Sequence, residues 1–219
     1  MLDILNKYII EHLVYVQLIP VLIGFICYKK LDKIYQIFIW VLLYSALNEI
    51  FKIYYGNYIH KDHNIIWTNI YNIIYFSFLF LVFSKKSRIR FKKVIRFILI
   101  LYFISLFYEF FIINVNYHEK HQVIPFVIGG LGIILCVFNY LYRQVNSEHE
   151  IKIYNDFMFW FVAAHFIYFL AFTPLKIGEN HFVQIKEFYN LFNIKIGATI
   201  LKILLLSIGF LWTTYNKDN

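Results

Sequence analysis

The feature that most constrains this chain is a series of seven apolar blocks, each nearly free of charge and separated by short polar connections. They cover residues 8–28, 34–55, 65–83, 94–115, 123–142, 157–174 and 190–212. Roughly 17–25 apolar residues are needed to cross about 30 Å of hydrocarbon as a helix, and these blocks meet that length. The apolar residues run continuously instead of alternating, which excludes a β-barrel and leaves only helices as spanning structures. Composition agrees: 61% of residues are apolar, 22% aromatic and only 16% charged, far from the average soluble domain. The expectation is an all-α polytopic membrane protein, one seven-helix bundle over residues 1–219. No connection is long enough to fold as a second domain.

The N-terminal block has no small-residue cleavage pattern, and Gly24-Phe25-Ile26 ahead of Cys27 lacks a lipoprotein signal, so it reads as a retained first span. The two cysteines, Cys27 and Cys136, lie inside spans, so neither a disulfide framework nor a Cys-rich metal site is expected. The formal net charge of +8 is distributed unevenly. With the N-terminus outside, twelve basic residues fall on the cytoplasmic side and five on the outer side, which is the bias that sets topology. The C-terminus is then cytoplasmic. The densest basic run, Lys85, Lys86, Arg88, Arg90, Lys92 and Lys93, reads as a surface for anionic lipid headgroups or a cytoplasmic protein partner, and not as a site for direct nucleic-acid binding.

Ionisable groups inside spans are costly and so are functional candidates. Here they gather toward the outer ends of the helices: Glu49 and Lys52 in the second span, Asn69 and Asn72 in the third, Glu109 in the fourth, and Asn190, Asn193 and Lys195 in the seventh. His165 and Lys202 stand at mid-depth. Glu49 and Lys52 share a helical face, as do Asn69 and Asn72, while Lys195 and Lys202 are nearly eclipsed with Thr199 between them. These faces are expected to turn inward and enclose an outward-facing polar chamber for a small ligand or ion, with Glu49 and Glu109 as partners of the lysines. The competing reading is that the same groups only join helices through hydrogen bonds and ion pairs. Histidines cluster on the outer side (His12, His60, His63, His118, His121, His181), but no spacing fixes a complete ligand set, and no metal site is expected.

Signatures of catalysis are missing. All five aspartates lie in tails or loops, His118-Glu119-Lys120-His121 is one residue short of a zinc-binding helix motif, and no Gly-x-Ser-x-Gly elbow occurs. A non-enzymatic protein is expected. Seven spans with a mid-depth lysine in the last also resemble the rhodopsins, in which a lysine holds retinal as a Schiff base, and Lys202 would be that residue. However, Asn69 and Asn72 stand where microbial rhodopsins carry acidic counter-ions, and Ala198 stands four residues before the lysine, so no cofactor is expected.

The stretches Asn48-Glu49-Ile50, Phe159-Trp160-Phe161, Tyr168-Phe169 and Asn193-Ile194 through Trp212 resemble a group of small, uncharacterised seven-helix bacterial membrane proteins. In size and multispanning character the chain also resembles the membrane accessory proteins of RNA-guided RNase antiviral (CRISPR-type) loci. The first resemblance implies a multi-pass protein of a bacterial plasma membrane, in line with the richness in Ile, Lys, Asn, Tyr and Phe. The leading expectation is a sensor or ligand-binding module that signals through a cytoplasmic partner. The alternatives are a pore-forming or modulating accessory protein of antiviral defence, implied by the second resemblance, and a small-solute or ion transporter. Either alternative is compatible with a homo-oligomer.

Overall fold

The computed structural model describes residues 13–58, 65–118, 120–146, 153–179 and 188–218. Among them there is no strand, and the chain is an all-α bundle. A first, shorter apolar helix, α1 (Leu13–Ile26), is followed by six helices long and apolar enough to cross a membrane. These are α2 (Lys33–Tyr58), α3 (Ile65–Lys86), α4 (Ile89–Phe107), α5 (Ile124–Val145), α6 (Phe157–Glu179) and α7 (Phe188–Asp218).

The boundaries differ from the sequence expectation in instructive ways. Residues 8–12 of the first block lie outside the described residues, and α1 ends at Ile26 in a 3-10 turn, Tyr28–Lys30. The Gln36 amide closes this corner by donating to the carbonyls of Tyr28 (2.9 Å) and Leu31 (3.0 Å), groups a helix end leaves orphaned. The basic run is not a loop. α3 continues to Lys86 and α4 starts at Ile89, so Lys85 and Lys86 end one helix while Arg90, Lys92 and Lys93 lie in the opening turns of the next. Long basic side chains reach the headgroup level from helix ends, so charge there does not break the helix. Pro174 does not end α6, which runs on to Glu179. A proline removes one backbone hydrogen bond, a loss that packed neighbours in a membrane bundle tolerate.

α4 closes through a π-turn, Tyr108–Ile112, and the chain then folds back through Asn114, which has a positive φ of 58°. Pro125 occupies the first turn of α5, where its missing N–H costs nothing. At the opposite end the Asp156 carboxylate caps α6 by accepting the Met158 N–H at 3.1 Å.

Packing gives a closed ring. α7 packs on α6 and α1, α1 on α2, α2 on α3, α3 on α5 and α5 on α6. α4 stands outside this ring against α3 and α5. Close approach of α5 to its neighbours depends on glycine: a Cβ on Gly129 would lie 2.7 Å from the Phe76 ring, and one on Gly132 would lie 2.5 Å from Ile98. The half of the ring near the ends of α1 and α7 is filled by aromatic side chains, with ring centroids 5.0 Å apart for Phe38 and Phe161 and 4.5 Å for Phe157 and Phe210. All four are fully buried. The outer surface is apolar on every side, with Phe97, Ile104 and Phe107 of α4, Phe138 of α5 and Leu204 and Leu211 of α7 exposed. Such a surface is what lipid as solvent requires, and the chain is a multi-pass membrane protein.

Candidate functional site

At the other end of the ring the six helices leave a cavity of about 500 Å³. Four of the long helices, α2, α3, α6 and α7, contribute through residues three or four apart, the spacing that keeps side chains on one helical face. α2 offers Leu42, Ser45, Glu49 and Lys52; α3 offers Ile65, Thr68 and Asn72; α6 offers Tyr168, Phe172 and Leu175; α7 offers Lys195, Thr199, Lys202 and Leu206. α1 closes one side with Val14 and Gln17, α5 adds Phe126, and His121 of the α4–α5 connection and Lys176 complete the polar lining.

Charge in this cavity is unevenly matched. Glu49 and Lys52 form an ion pair one turn apart, and the Lys52 ammonium also donates to Thr68 Oγ1 at 3.1 Å. Ser45 donates to the Tyr71 hydroxyl at 3.1 Å, and Thr199 to the carbonyl of Lys195 at 2.9 Å, so both hydroxyl protons are used. The two cavity lysines of α7, Lys195 and Lys202, form no ion pair with a carboxylate among the described residues. Lys195 Nζ lies 5.3 Å from the centre of the Phe172 ring. Lys202 Nζ, on a side chain 9% exposed, sits 4.2 Å from the Tyr168 ring centre and 4.7 Å from that of Tyr75. Two aromatic faces attract an ammonium but accept none of its three N–H bonds in the manner of a carboxylate. Asn72 is buried in the same wall, and its Nδ2 has no acceptor among the described residues.

Five of the residues singled out from the sequence therefore meet around one cavity: Glu49, Lys52, Asn72, Lys195 and Lys202. Four do not. Glu109 is 3% exposed, and it serves a helix terminus instead of a lysine. Its carboxylate accepts the backbone N–H groups of Val123 (3.0 Å) and Ile124 (3.4 Å), orphan donors at the start of α5, and the Tyr117 hydroxyl (3.0 Å). Asn69 anchors the same connection from α3. Its amide donates to the carbonyls of Tyr117 and Lys120, both at 3.0 Å, and accepts the Gln122 N–H at 3.1 Å. His165 belongs to the floor: Nδ1 faces the Phe161 carbonyl at 2.7 Å, which can only accept. In the neutral ring the proton is therefore on Nδ1, and Nε2 accepts the Tyr75 O–H at 2.8 Å. Asn193 is exposed on α7, and nothing is described of the Asn190 side chain.

The sequence reading missed Gln17, Ser45, Thr68, Tyr168 and Lys176 as wall residues, and it took His121 as incidental surface. Ser45, Thr68 and Tyr168 lay within reach of a spacing argument, each being three or four residues from a wall position on its own helix. Of the outer histidines, His118 is exposed, while His12, His60, His63 and His181 lie outside the described residues. In the basic run Lys85, Arg88, Arg90 and Lys93 are exposed, whereas Lys86 is tied to Asp32 at 3.0 Å and lies over the Tyr35 ring. No protein-family model, curated protein or solved structure matches the chain.

Proposed function

We propose that the protein is a non-enzymatic membrane receptor, a sensor or binding module whose ligand occupies the ring cavity. The observation that carries this reading is Lys202, an ammonium deep in an apolar bundle with aromatic faces for company and a cavity beside it. A volume of about 500 Å³ falls within the roughly 300–1,000 Å³ typical of small-molecule sites. Under the basic-residue topology most wall residues come from the outer halves of the helices, with Leu42 and Leu206 just past mid-depth, so the chamber opens away from the cytoplasm. Below it stand the Tyr75–His165 pair and the packed phenylalanines, and no described wall residue comes from the inner third. A pore or transporter needs polar groups along its whole path. Toward that end Gln36 and Ser207 are satisfied by backbone carbonyls, and Asn139 of α5, whose buried Nδ2 has no partner among the described residues, makes no continuous polar path by itself. A bacterial plasma membrane is the proposed location, and a cytoplasmic protein meeting the exposed basic residues at the ends of α3 and α4 is the proposed recipient of the signal.

The deciding experiment is Lys202→Met, compared with wild type for unfolding in detergent and for retained small molecules in native mass spectrometry. If Lys202 only held helices together, methionine would destabilise the bundle. In a ligand site the lysine is held at a cost: two cation–π contacts return about 1–4 kcal/mol together, whereas burial of an ammonium costs several. Methionine of similar length then leaves stability unchanged or raised while ligand retention is lost. A clear loss of stability with no ligand on wild type overturns the reading.

A further inference from the structure

We infer that the chamber takes an amphipathic anion, a phosphate or carboxylate head carried on an apolar tail. The inference rests on the receptor reading above and names the ligand class for the same site. Two ammonium groups, Lys195 and Lys202, are seven residues apart on one face of α7 and reach the cavity without a described carboxylate partner. The one acid among the described wall residues, Glu49, is already engaged by Lys52. A cationic ligand would thus meet two lysines without a contacting carboxylate, and the one charge that acts on Lys202 through space, Glu49, is in contact with Lys52 instead. An anion supplies the acceptors that the lysine N–H bonds lack, and charge-assisted hydrogen bonds of this kind are the strong ones. The buried Asn72 amide, whose Nδ2 lacks an acceptor among the described residues, gives the same wall a further donor. The rest of the lining is dominated by Leu, Ile and Phe side chains, which an inorganic ion leaves uncovered and an alkyl chain buries.

A head of this chemistry on a tail occurs both in membrane lipids and in soluble amphiphiles, and the test separates them. Full-length protein in phosphatidylcholine nanodiscs is titrated with radiolabelled decyl phosphate, with empty nanodiscs subtracted. We expect saturable binding of one molecule per chain. Octyl phosphate should bind roughly tenfold more weakly, since each buried methylene contributes a few-fold, and inorganic phosphate at least a hundredfold more weakly still. Lys202→Met should lose about tenfold or more in affinity. If that variant does not fold, Lys195→Met, altered at a partly exposed position, makes the same test. Addition of phosphatidylglycerol to the nanodiscs weakens decyl phosphate binding if bilayer lipid occupies the site, and leaves it unchanged if the ligand is soluble.

Decyltrimethylammonium competing as well as decyl phosphate would overturn the anion while leaving the receptor chamber standing. Equal binding of inorganic and decyl phosphate would overturn the tail. Absence of saturable binding by any probe, together with loss of stability in Lys202→Met, would remove the receptor reading itself.

Discussion

Glu109 offers the sharpest test of the structure against the sequence, because the sequence makes it a chamber acid and the structure makes it a helix cap. Its carboxylate accepts two bonds at 3.0 Å, from Val123 N and the Tyr117 hydroxyl, and a longer one at 3.4 Å from Ile124 N. Bonds to a charged acceptor contribute about 1.5–3 kcal/mol each, and removing the acceptor also strands buried donors at about 1–3 kcal/mol each. Against this stands the relief of no longer burying a carboxylate. The net loss for Glu109→Ala is about 3 kcal/mol, or roughly a hundredfold in the ratio of folded to unfolded protein. Glu109→Gln keeps one acceptor oxygen but turns an N–H₂ group toward donors, so an intermediate loss of about 1–2 kcal/mol is expected. The assay is reversible unfolding in mixed micelles of mild and denaturing detergent, with ligand retention measured in parallel on the folded fraction. Stability should fall in the order wild type, Gln, Ala, with retention by folded protein unchanged. A Glu109→Gln variant as stable as wild type but unable to retain ligand would show that the carboxylate belongs to the chamber, and the capping argument would fail.

Four further outcomes follow from the same geometry. Tyr75→Phe keeps the aromatic face under Lys202 but removes the donor to His165 Nε2, so it should cost about 1–2 kcal/mol in unfolding measurements and leave decyl phosphate affinity unaltered. Gly132→Ala places a Cβ against Ile98 and Phe80 and should destabilise by about 1–3 kcal/mol, whereas Gly197→Ala meets nothing within 4 Å and should be neutral or up to about 1 kcal/mol stabilising. Burial, and then the neighbouring Glu109 carboxylate, push the Tyr117 phenol above its ordinary pKa. Folding therefore favours its protonated form; the contribution is complete below the usual phenol range and is lost as pH rises toward the folded value, so Tyr117→Phe should flatten the alkaline limb of a stability–pH curve. Reversing charge at Arg88 and Arg90, both exposed, should weaken co-purification of a cytoplasmic partner or binding to anionic vesicles without changing unfolding, whereas Lys86→Ala should affect stability through its Asp32 contact.

What was legible in the sequence follows from what lipid forces on a chain. Six blocks could only be spanning helices, because a long apolar segment in hydrocarbon has no other way to satisfy its backbone. Their ends were less legible: Arg90, Lys92 and Lys93 look like loop residues, yet a helix end at the interface accommodates them, and Pro174 looks like a stop that α6 passes. The depth of Glu49, Lys52, Asn72, Lys195 and Lys202 could be counted along the chain, and for these five depth and rotation both point to the cavity. For Glu109 and Asn69 the depth was right but the partner was hidden. Both are claimed by the connection of residues 113–123, which folds back over the bundle and brings unpaired backbone groups to them across 14 to 53 positions of sequence. No helical periodicity encodes where a loop returns. Asn69 and Asn72 show the consequence within one turn of α3: one braces the loop, the other lines the cavity.

The same contrast explains why Lys202 carries the functional argument and Glu109 does not. Both are buried ionisable groups in a bundle where each such group is expensive. Glu109 is fully answered by protein: its oxygens accept a phenol and two backbone donors, and nothing about it requires a further molecule. Lys52 is answered as well, by Glu49 and Thr68. Lys202 is in contact with two ring faces and feels the Glu49 carboxylate through space, which together offset part of the lost hydration and leave its N–H bonds without oxygen acceptors from the described protein. Its remaining neighbour is the cavity, and the floor beneath is committed elsewhere, with His165 held between Tyr75 and the Phe161 carbonyl. The acceptors that would complete its shell must therefore enter through the chamber, from water when it is empty and from the head of an anionic guest when it is filled.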